Sequence, residues 1–455
     1  MATADLPLPG VTSLAPPGLG WRALAIASLI AACNLGNGMW EPLALWPYGL
    51  AILAWFVAER RRGTPAPGNA RRDAIVCAAL AALSQLPFAF QPMAPMYNTL
   101  ATIAPWRLAT TLGTLGALAL CWLAWRDRPD DAPRRDALLP ALLMLGFAAR
   151  LAAILASPRP HIDVWYGHQD AIAQLVHGLN PFATPAHDIY NGGLPYKGLP
   201  GYTYPPANLY WFWGAIQLYG DSRYALLVVE AAGVAALWWR VVRRHPARAA
   251  VEGLLVLFYL RPSAPFGIEQ AWTEPLIFGT AALLLAFQHV GDGWLAILLG
   301  ALVSLKQYLV PLGNLATLGR RPVRVLVGGA LVGLATLAPF LVWNTRALIE
   351  ANTLQSRIPY LDYNLSFNSG LQHWLGWHLP PVPFAAAAML VGFAYPWWRA
   401  HRGRPLGARV WAWNASVFLV TFALTQAFYN EHYFVLGLML LSVAADGAPG
   451  RPTTA

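Results

Sequence analysis

Residues able to do chemistry are scarce in this chain, and the most suggestive is Asp163. It opens the run His161-Ile162-Asp163-Val164-Trp165-Tyr166 directly after an apolar stretch. If residues 163–179 are helical, Asp163, Asp170, Gln174 and His177 share one face while Trp165, Ile172, Leu175 and Leu179 take the other. Asp163 and Asp170 then stand about 10.5 Å apart, too far for two carboxylates sharing a proton. Asp163 therefore reads as a lone carboxylate suited to general-base work, or as a helix cap beside a solvated His161. The chain has only two lysines, Lys197 and Lys306, against 29 arginines. A chain that otherwise uses arginine suggests a selected role for each lysine. Glu269 and Glu274, in Glu269-Gln270-Ala271-Trp272-Thr273-Glu274-Pro275, could bind hydroxyls or cap the next helix. His432, in the turn Tyr429-Asn430-Glu431-His432-Tyr433, is either a site residue or a turn residue. Glu230 lies inside an apolar run, where an ionisable group is functional by default or neutral and hydrogen-bonded between helices.

The elements that must hold these residues follow from composition. Of 455 residues only 11% are charged and 57% are apolar, whereas a soluble chain is roughly a quarter charged. Apolar runs of about twenty residues recur throughout, so the expected fold is an all-α polytopic membrane protein of about 12–14 transmembrane helices. Net charge is +10, and 20 of the arginines fall in five clusters: Arg60, Arg61, Arg62, Arg71, Arg72; Arg126, Arg128, Arg134, Arg135; Arg240, Arg243, Arg244, Arg248; Arg320, Arg321, Arg324; and Arg399, Arg402, Arg404, Arg409. Such clusters in short loops mark the cytoplasmic face. No basic stripe with interleaved aromatics lies elsewhere, which argues against a nucleic-acid partner. Cys33, Cys77 and Cys121 fall within expected spans and read as small apolar residues. Residues 1–20 and 446–455 are expected to be disordered cytoplasmic tails.

Four N-terminal helices are expected within 21–136 (spans 21–36, 40–58, 74–92 and 105–125), and a fifth span follows at 137–156. Loops 157–220 and 344–381 then fall outside. Parity creates two difficulties. A span at 204–220 would turn the Arg240 cluster outward. The segment opens with Pro205-Pro206 and is rich in Tyr and Trp, so it reads as an external helix lying on the membrane, with the true span at 221–240. A single span at 293–318 would likewise expose Arg320, Arg321 and Arg324. Splitting it at Lys306-Gln307 gives a rising half, 294–305, and a returning half, 308–318, each covering roughly 17 to 18 Å. The break must then be buried or line a wet cavity. The competing topology keeps both segments as spans and misplaces one cluster. The remaining spans are 251–266, 273–290, 323–343, 382–398, 410–428 and 431–445.

Sorting charges by face leaves Asp163, Asp170, Asp188, Lys197, Asp221, Arg223, Glu269, Glu274, Lys306, Arg357, Asp362 and Glu431 on the external side. For any single one, a solvated loop residue is the alternative; the clustering is the stronger signal.

A resemblance emerges at this point. The carboxylate after a span, the aromatic amphipathic helix ending Gly178-Leu179-Asn180-Pro181-Phe182, and Tyr204-Pro205-Pro206 look like the first external loop of the GT-C superfamily. The closest pattern is that of the bacterial polyprenol-phosphate-mannose-dependent mannosyltransferases. Ser304-Leu305-Lys306-Gln307 and Asn364-Leu365-Ser366-Phe367-Asn368-Ser369-Gly370-Leu371 are similar to further features of that family. The likeness covers about 137–445; the four helices before Arg135 fall outside it. It rests on order and spacing together, since no single motif is specific. It implies an inverting glycosyltransferase of a bacterial inner membrane, working on the external, periplasmic face, with a polyprenyl-phosphate sugar donor and a lipid or glycan acceptor. Asp163 would be the base. Lys306, Arg223, Lys197, Tyr204, His161, Gln307, Glu269, Glu274, Asn368 and His432 would hold donor or substrate. His161 departs from the second acid common in the superfamily, which weakens the case for a carboxylate-held divalent cation. The alternatives are a secondary transporter or flippase, which would show matched inverted repeats and mid-membrane charges, and a polymerase or ligase of lipid-linked glycans.

Overall fold

A computed structural model describes residues 18–36, 38–61, 100–126, 131–191, 201–353 and 360–446, with isolated positions between 72 and 82. Most of the expected span 74–92 lies outside the described residues, as do Cys77, Lys197 and Arg357. The chain is an all-α, polytopic membrane protein. Among the described residues, six helices are long and apolar enough to cross a membrane: Leu19–Gly36, Pro42–Arg60, Arg107–Arg126, Pro133–Ala156, Arg223–Arg244 and Pro322–Asn352.

The helices are α1 (Leu19–Gly36), α2 (Leu45–Arg60), α3 (Leu100–Arg126), α4 (Asp131–Ala156), α5 (Asp163–Val176), α6 (Ala207–Tyr219), α7 (Arg223–Arg240), α8 (Arg248–Leu260), α9 (Ala264–Glu269), α10 (Glu274–Phe287), α11 (Asp292–Val303), α12 (Pro322–Asn352), α13 (Phe367–Leu375), α14 (Pro381–His401), α15 (Arg409–Leu424) and α16 (Tyr429–Asp446). A 3-10 helix, Gln307–Leu318, follows α11. Beyond their polar first turns, helices α10 and α16 are largely apolar and almost wholly buried, so they form the centre of the bundle. Helix α10 crosses α7 where Gly233 and Gly279 meet. A Cβ on Gly233 would lie 2.4 Å from the Gly279 carbonyl oxygen, and one on Gly279 would lie 2.4 Å from that of Val229. Small residues are what permit so close a crossing.

The break expected at Lys306-Gln307 is present. Helix α11 and the 3-10 helix form a hairpin: Asp292, at the start of one, accepts hydrogen bonds from the Arg320 and Arg321 amides beyond the end of the other, both at 2.9 Å. The interruption falls at Lys306, whose backbone is extended (φ −153°, ψ 146°). Helix α6 has 13 residues, about 20 Å and short of the bilayer core. Its middle and end meet adjacent residues of α5: His168 lies 4.2 Å from the Phe212 ring, and Gln169 donates to the Gly220 carbonyl at 2.8 Å.

The arginine clusters share one end of the bundle. Arg248 binds Asp136 and Glu252, joining the Arg134 cluster to the Arg240 cluster. Arg22 binds both Glu59 and Asp446, so α1, α2 and α16 also close together there. The other end carries α5, α6, Lys306 and the start of α16. In a background without the native cysteines, Tyr219→Cys should react with an impermeant maleimide from outside whole cells. Arg320→Cys should react only after permeabilisation, and labelling of both from the same side would break the hairpin topology.

One expected span is not continuous. Residues 251–266 divide at Arg261, where α8 stops and the short α9 begins. The cause is local: Arg261 precedes Pro262, and a residue before proline is driven out of the helical region, here to φ −56° and ψ 145°.

The acid inside α7 has a partner. Glu230 receives the Arg150 guanidinium of α4 in a two-point contact, Nε to Oε2 at 2.6 Å and Nη2 to Oε1 at 3.1 Å, and the Tyr433 hydroxyl also bonds it. All three side chains are buried. The neutral, hydrogen-bonded Glu230 that the sequence left open is thus replaced by an ion pair. Arg150→Met should cost about 3–5 kcal/mol of stability, because it strands a buried carboxylate. Unfolding titrations in micelles check this, and Arg150→Met/Glu230→Leu should recover most of the loss.

Candidate functional site

Helix α5 begins just past the bundle rim. Ile162 is extended at its N-cap, and Asp163 is the first helical residue, its Oδ1 accepting the Val164 amide at 2.9 Å. A carboxylate there is favoured by the helix dipole. Gly178 ends the helix with φ +73°, a conformation that suits glycine. Trp165, His168 and Ile172 recur at helical spacing and are buried, fixing the face that docks on the bundle. His168 bridges two elements, with Nδ1 3.1 Å from the Tyr202 hydroxyl and Nε2 3.2 Å from the Ala271 carbonyl oxygen. Those partners assign Nε2 as the donor and Nδ1 as the acceptor. Burial first, and the Lys306 ammonium second, lower the imidazole pKa to about 3. His168 is therefore a neutral strut between α5 and the α9–α10 elbow.

Four elements converge on Lys306. Its ammonium binds the Glu274 carboxylate at the start of α10 and lies 3.9 Å from Glu431 Oε1 at the start of α16. It also sits 5.8 Å from the Tyr204 ring centroid and 5.1 Å from that of Tyr308. Glu274 Oε1 accepts three donors: Lys306, the Tyr308 hydroxyl at 2.9 Å and the Asn430 amide at 3.2 Å. Asn430 also donates to Glu431 Oε1 at 2.7 Å, and Glu431 Oε2 accepts the Phe428 amide at 2.9 Å. Two carboxylates thus share one ammonium. The broken span is pinned on both flanks, by Asn208 Nδ2 donating to the Leu305 carbonyl at 2.7 Å and by Gln307 Nε2 donating to that of Thr203 at 3.0 Å.

Asp163 belongs to the same neighbourhood. The Tyr204 hydroxyl is pushed well above its ordinary pKa by burial and then by the carboxylates of Glu274, Asp163 and Glu431. Tyr363 is raised by burial and then by Asp163 and Asp362. Asp163 is therefore within electrostatic reach of the first external loop, of the second, and of the tyrosine beside Lys306.

Other candidates are committed to the scaffold. Arg223 makes a forked contact with Asp221, Nη2 to Oδ2 at 2.6 Å, and Trp165 Nε1 donates to the same carboxylate at 3.2 Å. Its charge is thereby neutralised while α5 is tied to α7. Asn368 closes the second loop, donating to the Leu379 carbonyl at 3.1 Å and accepting its amide at 2.6 Å. His432 Nε2 donates to the Leu365 carbonyl at 2.8 Å, and its ring meets Tyr48 edge-on. His161 is exposed and edge-on to Tyr190. Glu269 is buried at the end of α9. Among the described residues no three His, Cys, Asp or Glu side chains are grouped to hold a metal ion.

Residue-by-residue reading passed over His168, Tyr308, Asn430 and the full part played by Glu431. His168 was recoverable as the polar member of an apolar face. Glu431 carries a signal in Asn430-Glu431 opening a helix.

No family model matches the chain, and no curated protein or solved structure matches it either.

Proposed function

We propose that the protein is a membrane-embedded, inverting glycosyltransferase that takes a sugar, mannose-like, from a polyprenyl-phosphate donor to an acceptor hydroxyl at the external face. The observation that carries this reading is the placement of Lys306, at the break of a re-entrant hairpin, beside Tyr204 and in one electrostatic neighbourhood with Asp163. A lipid-linked donor needs a cation at the membrane surface and a base beyond it, and the arrangement offers one of each. In the reaction, Asp163 takes the proton of the acceptor hydroxyl as that oxygen attacks the anomeric carbon. The bond from that carbon to the phosphate oxygen breaks with its electron pair, releasing polyprenyl phosphate and inverting the centre.

The sharing of Lys306 by Glu274 and Glu431 has a chemical consequence. The trio carries no excess positive charge when both acids are ionised, so an arriving phosphate engages the ammonium only as a carboxylate turns aside or takes a proton. Asn430, bonded to both acids, is placed to hold them during that exchange. The transport alternative draws less support, because Glu230, the acid deep in the bundle, is closed by Arg150. The test is direct: protein in nanodiscs, supplied with polyprenyl-phosphate hexoses and a membrane-lipid or glycan acceptor, should release polyprenyl phosphate. Flux of the same lipids across proteoliposomes without release would favour the transport reading.

A further inference from the structure

The elbow between α9 and α10 carries more unpartnered polar atoms than its size explains. Gln270, Thr273 and Glu274 are each at most 1% exposed. Gln270 Nε2, Thr273 Oγ1 and Glu274 Oε2 have no hydrogen-bond partner among the described residues. Leaving one such group unsatisfied costs about 1–3 kcal/mol, so three in five residues call for a reason.

Local folding does not supply it. Thr273 occupies the N-cap of α10, where its hydroxyl would ordinarily accept an amide of the first turn. It makes no such bond: its backbone is helical (φ −75°, ψ −10°), and Pro275, two residues on, has no amide to offer. The hydroxyl is thereby released from capping. Between Gln270 and Thr273 the chain passes through Ala271 at φ +55°, unusual for a residue with a Cβ. That conformation is held by the His168 bond to the Ala271 carbonyl. Strain of this kind persists where the surroundings impose it, and functional sites are where it gathers. Glu274 Oε1 is the atom bound to Lys306, so the elbow abuts the cation assigned to the donor phosphate.

Resting on the glycosyltransferase reading, we propose that this elbow is the subsite for the donor's sugar ring. The Gln270 amide and the Thr273 hydroxyl donate to ring hydroxyls, Glu274 Oε2 accepts from one, and Lys306 holds the phosphate. One donor, one acceptor and one group able to do both form a set complementary to a hexose, whose hydroxyls likewise do both.

The experiment uses the full chain in nanodiscs with polyprenyl-phosphate hexoses and the matching single-deoxy donors. Thr273→Val keeps the side chain's shape, and Gln270→Met is close in size. Each should lower kcat/KM for the fully hydroxylated donor by about tenfold, a hydrogen bond's worth. Against the one deoxy donor that lacks the partner hydroxyl, each variant should match the wild type. An active wild type, with variants that lose the same factor on every donor or lose nothing, overturns the subsite and leaves the glycosyltransferase reading standing. A wild type that uses no donor overturns both. Thermal unfolding of each variant, expected within 1–2 °C of the wild type, separates lost recognition from lost folding.

Discussion

Asp163→Asn should leave the protein folded in the membrane and reduce sugar transfer by about 10²–10⁴-fold, the range associated with a lost general base. The substitution keeps the shape of the side chain and its place at the start of α5, where it already bonds the Val164 amide through Oδ1. An amide oxygen still accepts that bond, and the lost helix-dipole interaction is worth only about 0.3–1 kcal/mol, so the fold should survive. What disappears is the ability to accept a proton from an incoming hydroxyl. An Asp163→Asn protein with wild-type turnover would remove the base from the mechanism and most of the case for the reaction.

Lys306→Met should have the second-largest effect, and it should be twofold in kind. Removing the ammonium strands Glu274 and Glu431 side by side, so stability falls. Donor use should fall by roughly 10²–10³-fold in kcat/KM, as for one lost electrostatic contact to a developing charge. A second substitution separates the two effects. Lys306→Met/Glu274→Gln relieves the uncompensated charge and should recover the unfolding temperature without recovering transfer. If transfer returns together with stability, Lys306 is a scaffold residue and the phosphate needs another cation. Lys197→Ala, by contrast, should change donor use little.

How much of this the sequence disclosed depended on distance along the chain. The break at Lys306 was legible because an unbroken span over 293–318 would have turned Arg320, Arg321 and Arg324 to the wrong face. Arg261-Pro262 advertised its break locally and was passed over within a long apolar stretch. Arg150 could not be matched to Glu230 by any spacing rule, since the two lie 80 residues apart and meet only after α4 and α7 pack. The site followed the same division. Asp163 stands out through its position after a span, while the sharing of one ammonium by Glu274 and Glu431 depends on three helix ends meeting in space. Activity itself was legible only through resemblance, because a carboxylate and a lysine at a membrane surface serve many chemistries.

The contact between Arg22 and Asp446 has a bearing on how the protein is made. Residues 424 apart close on one another at the first and last of the described helices, and Trp55 donates to Ser416 across 361 residues. Translation at about 5–20 residues per second separates Arg22 from Asp446 by roughly 20–85 s. Through that interval the first helical hairpin sits in lipid with its eventual neighbours still unmade, and the turn at Gly38, which pairs with Tyr363 and Leu365, has nothing to pair with. Biogenesis should therefore be late and all at once. Nascent chains arrested before Tyr429 should expose α1 and α2 to lipid crosslinkers, and the full chain should hide them.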